Sequence, residues 1–61
     1  MKYADAAKLA REHDIDPDGP IVYIIDFFYD LLWQDNPSMD ADKQEETADR
    51  WAFKYDAGDK R

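Results

Sequence analysis

The densest set of chemically capable groups in this 61-residue chain is Asp14, Asp16 and Asp18, carboxylates on alternate residues followed by Gly19. Calcium gathers about six to eight hard oxygen ligands, and acidic side chains alternating through a tight turn can supply them. A second set is Asp26 and Asp30, one helical turn apart and flanked by Tyr23, Phe27, Tyr29 and Trp33. Locally this resembles a carboxylate pair for acid–base work. Aromatic residues beside carboxylates also mark surfaces that anchor a partner and pair with its arginines. The remaining inventory is thin: one His (His13), one Ser (Ser38), one Thr (Thr47) and no Cys. A nucleophile, its base and an orienting group would need nearly all of these, in a chain too short to wall off a cleft. The expectation is a non-catalytic protein.

The run Asp14-Ile15-Asp16-Pro17-Asp18-Gly19-Pro20-Ile21 resembles the first eight positions of the EF-hand calcium loop. The resemblance implies Asp14, Asp16 and Asp18 as calcium ligands, with helices on either side. The chain departs from the pattern at position 12, where a bidentate Glu is replaced by Ile25, and Pro17 and Pro20 stiffen the loop. The alternative is an acidic interhelix turn. Further on, Ile24-Ile25-Asp26-Phe27-Phe28 is similar to the core of sliding-clamp-binding peptides, with Ile21 where those carry glutamine. Ile24 and Phe28 are expected in the core instead.

Three helices must position these residues. Apolar spacing predicts the first over about 2–13, with Tyr3, Ala6, Leu9, Ala10 and His13 on its inner face. Pro17-Asp18-Gly19 signals a turn, after which Pro20 is expected at the first helical position, capped by Asp18 or Gly19. The second helix, about 20–34, sets Ile21, Ile24, Ile25, Phe28, Leu31 and Leu32 toward the core. Its start, Ile21-Val22-Tyr23-Ile24-Ile25, has strand propensity, but no second strand exists to pair with it. The third helix, about 40–57, turns Ala41, Gln44, Ala48, Trp51, Ala52 and Tyr55 inward, with Gly58 as its expected C-terminal cap. The fold class is therefore all-α, a compact three-helix bundle in a single domain. The second helix is apolar nearly all round, so the bundle is expected to be dimeric or stabilised by a partner.

Charge narrows the function. Eight Lys and Arg against 15 Asp and Glu leave a formal charge of −7. No Lys or Arg occurs from Glu12 through Asp42. Direct nucleic-acid binding is disfavoured, because phosphates demand net positive charge on the reading face. The start shows no basic segment followed by an apolar one, and the longest apolar stretch is interrupted by Asp26 and Asp30, so a cytoplasmic protein without a membrane span is expected. Short carboxylates held along helices imitate phosphates along a groove. The expected function is an acidic inhibitor or adaptor that occupies a basic, nucleic-acid-binding site on a protein partner. By analogy of build, the phage-type anti-restriction and anti-CRISPR inhibitors, which would act in a host cytoplasm, are such proteins. The expected binding residues are Tyr23, Asp26, Phe27, Tyr29, Asp30, Trp33, Asp42, Glu46, Asp49 and Phe53. A calcium module and a structural dimerisation domain are the alternatives.

Overall fold

The structure, a computed structural model, describes residues 1–58. It contains α1 (Tyr3–Glu12), α2 (Ile21–Asp35) and α3 (Ala41–Gly58). Each boundary lies within one residue of the periodicity-based expectation. Ile21–Ile25 is helical: its apolar residues recur at helical spacing, and packing overrides its strand propensity.

The core combines bulk on α2 with alanines on both neighbouring helices and one large buried ring, Tyr55, from α3. Ile24, Phe28 and Leu32 are buried at i, i+4, i+8, while α1 contributes Ala6, Ala7 and Ala10 and α3 contributes Ala48 and Ala52. Alanine lets two backbones approach a third closely, and Phe28 then fills the centre. Its ring meets Tyr3 at 6.4 Å, Trp51 at 5.9 Å and Tyr55 at 5.8 Å between centroids. The last two are edge-on, a geometry that contributes roughly 0.5–1.5 kcal/mol per pair beyond area burial. On α1 the burial is rotated from expectation. Ala7 is buried, Leu9 only half-buried, and His13 is exposed beyond the helix end. Ala41, the first residue of α3, is likewise exposed.

Helix ends explain the turns. Asp14 is left-handed (φ 58°), its N–H bonds to the Arg11 carbonyl (3.1 Å), and the Ile15 N–H reaches back to the Ala10 carbonyl (2.9 Å). That pair of bonds is a Schellman ending with Asp, which tolerates the left-handed region, in the usual place of Gly. Tyr55 fastens the turn to α3 by donating its hydroxyl to the Ile15 carbonyl at 2.6 Å. The Asp16–Gly19 turn closes through Gly19 N–H to the Asp16 carbonyl at 3.0 Å. Pro20 is the N-cap residue of α2, not its first helical residue, and no side chain caps that end. Asp18 and Gly19 therefore lie before the cap position rather than at it, and the Asp18 N–H bonds to the Asp16 carboxylate within the turn. Gly58 is the last residue of α3 and has no positive φ, so it does not cap the helix as expected.

Between α2 and α3 the chain reverses over five residues, which makes the two helices an antiparallel pair with the most extensive packing in the molecule. Gln44, fully buried, pins this reversal by donating Nε2 to the Asn36 carbonyl (2.9 Å). No helix among the described residues is long and apolar enough to cross a membrane.

Candidate partner-binding face

With 100° per residue, the flanks of α2 and α3 can be sorted from the buried residues outward. One flank of the α2–α3 pair is covered by α1. Tyr3 meets Trp51 at 6.1 Å, the ammonium of Lys54 lies 4.6 Å over the Tyr3 ring, and His13 lies 5.6 Å from Phe27. Phe27 and Trp51 thus mark the α1 side. The opposite flank carries Val22, Ile25, Tyr29 and Trp33 on α2, and Asp42, Glu45, Asp49 and Phe53 on α3. No described element covers it.

Sequence position therefore sorts the charges of α3. The α1 side holds Lys43, Arg50 and Lys54, and the open side holds Asp42, Glu45 and Asp49. Glu46 lies between the two and pairs with Arg50 at 3.0 Å, both side chains about 70% exposed. An exposed i,i+4 pair of this kind contributes only about 0.3–0.5 kcal/mol. Its significance is positional, since it holds Glu46 toward the basic flank, where both share a depression with Lys43 and Thr47.

The centre of the open side is a shallow depression of about 220 Å³ lined by Ile25, Asp26, Tyr29, Glu45 and Asp49. Ile25 and Tyr29 are half-buried and packed against the core, while Asp26 and Glu45 are exposed and Asp49 half-buried. An apolar floor is thus rimmed by three carboxylates from two helices. Tyr29 is braced by Trp33, edge-on at 6.1 Å. Glu45 and Asp49, at i,i+4, have Cβ atoms about 5–6 Å apart. That separation is less than the physiological Debye length of about 8 Å, so their fields add.

Ten residues were expected to bind a partner, and the structure divides them. Asp26, Tyr29 and Asp49 share the depression, with Trp33, Asp42 and Phe53 along the same side. Phe53 is 61% exposed. Asp30 is exposed on the outer surface of α2, one turn from Asp26. Tyr23 (66% exposed) lies apart, beside the interhelix turn with Asp14, Asp16 and Pro20. Phe27 is directed toward α1 and is half-buried there. Glu45 escaped the sequence reading. Its i,i+4 spacing to Asp49 was visible, but which flank α1 leaves open is a tertiary fact.

The three candidate calcium ligands do not converge. Asp14 is committed to ending α1 in the left-handed region, the Asp16 carboxylate accepts the Asp18 N–H at 2.8 Å, and all three are exposed. No group of three His, Cys, Asp or Glu among the described residues is arranged to hold a metal ion. In the segment similar to clamp-binding peptides, Ile24 and Phe28 are buried to 1% and 0% exposure, so neither is offered to a partner.

Comparison of the chain with protein-family models, curated proteins and solved structures finds no match.

Proposed function

We propose that this chain is a non-catalytic binding protein whose open α2–α3 side occupies a basic site on another protein, of the kind that otherwise holds nucleic acid. One observation carries the reading: the side not covered by α1 combines Asp26, Asp42, Glu45 and Asp49 with Tyr29, Trp33 and Phe53, and among the described residues it includes no Lys or Arg. Carboxylates at helical spacing present negative charge at intervals that a phosphate-binding groove accommodates, and aromatic residues supply the burial that holds a complex together. The formal charge of −7 draws a basic partner in over distances set by the ionic strength. A small helical inhibitor of the anti-restriction or anti-CRISPR kind, phage-encoded and acting in the host cytoplasm, fits this build by analogy.

The test is capture from a native bacterial lysate on the immobilised chain, followed by elution with duplex DNA. A partner retained at low salt and released by DNA in proportion to its concentration supports the proposal. Partners that DNA does not displace, and that bind equally at low and high salt, refute it.

A further inference from the structure

The geometry points to the occupant of the open side as a single amphipathic helix of the partner, apolar along one ridge and lined with Lys and Arg on both shoulders. The inference rests on this side being the binding surface. The shape of the uncovered groove carries it. Val22, Ile25, Tyr29 and Trp33 recur at i, i+3, i+7, i+11, a stripe that runs about 16 Å along α2 at 1.5 Å per residue. Beside it lies the groove between α2 and α3, apolar at its floor and carboxylate-rimmed by Asp26 on one helix and Glu45 and Asp49 on the other.

On the far side of the same helix pair, α1 already shows what such a groove accepts. It is a ten-residue helix that buries three alanines, packs the half-buried Tyr3 against the core and carries Asp5, Lys8, Arg11 and Glu12 on its exposed surface. A fourth helix on the open side would complete a four-helix bundle, with flanking helices about 8–10 Å away. Charge selects which helix. Carboxylates on both rims favour Lys and Arg at both shoulders of the incoming ridge, and a second copy of this chain would set the same carboxylates against each other. A duplex or an anionic membrane is repelled by the same rims. Helix-in-groove recognition, read as anchors at i, i+3, i+4 and i+7, is the mode that remains.

The probe is a synthetic 15-residue peptide with Leu at i, i+3, i+4, i+7 and i+11 and Lys or Arg at the flanking positions. Its control is the same composition scrambled to remove amphipathicity. Titration is followed by backbone amide shifts of the full chain. The expected result is binding of the amphipathic peptide at least tenfold tighter than the scrambled one, with shifts concentrated on α2 residues 22–33 and α3 residues 42–53. D26N/D49N should weaken binding at least tenfold, and Y29E should abolish it while the helical circular-dichroism signal is retained. Equal affinity for both peptides, or shifts centred on α1 and the 14–20 turn, overturns the inference. Capture released by DNA would then still stand as evidence for the acidic surface alone. Self-association of the chain that buries Tyr29 and is dispersed by Y29E also overturns it, in favour of a second copy.

Discussion

Phe28 and Asp14 illustrate how single residues set both the fold and the limits of reading it. Phe28 is fully buried among Tyr3, Phe27, Trp51 and Tyr55 rings. Phe28→Ala is expected to cost about 3–5 kcal/mol, most of the stability of so small a domain, measurable as a collapse of the urea midpoint. Tyr55→Phe keeps the ring and removes the 2.6 Å hydroxyl bond to the Ile15 carbonyl, so it should cost about 0.5–1.5 kcal/mol in the same assay. Asp14 holds φ 58° without being glycine, and Asp14→Gly should therefore raise stability, by about 0.5–1 kcal/mol, while Asp14→Val lowers it. The Asp14–Gly19 motif was legible as a turn from Pro17 and Gly19. That Asp14 itself ends α1 in the left-handed region was not, because this lies in backbone geometry and not in residue type.

Among the elements, α2 was the most legible and α1 the least. Ile24, Phe28 and Leu32 announce their phase by size, so the buried side of α2 follows from the spacing alone. Alanine carries little contrast: on α1 a stripe through Ala6 and Ala10 can rotate toward Ala7 or Leu9 at almost no hydrophobic difference, and the docking of α1 on α2 and α3 decides. The same docking decides which flank of α3 stays open, which is why Glu45 went unnoticed beside Asp49. The helix ends follow from local hydrogen bonds that composition does not specify. Lys2 caps α1 without any side-chain bond, and Asp5 sits three residues on. Lys2→Ser should supply the missing acceptor and stabilise the domain by about 0.5–1 kcal/mol. In a chain of this length that corresponds to a melting-temperature rise of roughly 2–8 °C, read by circular dichroism.

Among the described residues the molecule is asymmetric: a helix pair covered on one side by α1, with Lys43, Arg50 and Lys54 gathered there, and uncovered and acidic on the other. Its three-helix class was visible from three periodic segments and two proline-marked turns, but the asymmetry emerges only when the helices are assembled. The charge that makes the surface also opposes the fold by self-repulsion. Thermal stability should accordingly rise with sodium chloride between about 10 and 150 mM, as the Debye length shortens from roughly 30 to 8 Å. The central claim is that the open side, and not net charge as such, recognises a basic partner. The most direct measurement is the association rate of the captured partner with two double variants that each move the net charge by two. D26N/D49N removes two carboxylates from the open side, and D5N/E12Q removes two exposed carboxylates from α1, so both leave the chain with the same net charge. Association is predicted to slow at least tenfold for D26N/D49N at low salt, with D5N/E12Q close to the unsubstituted chain, and the difference should shrink as salt is raised. Equal rates for the two variants, at every salt concentration, would contradict it.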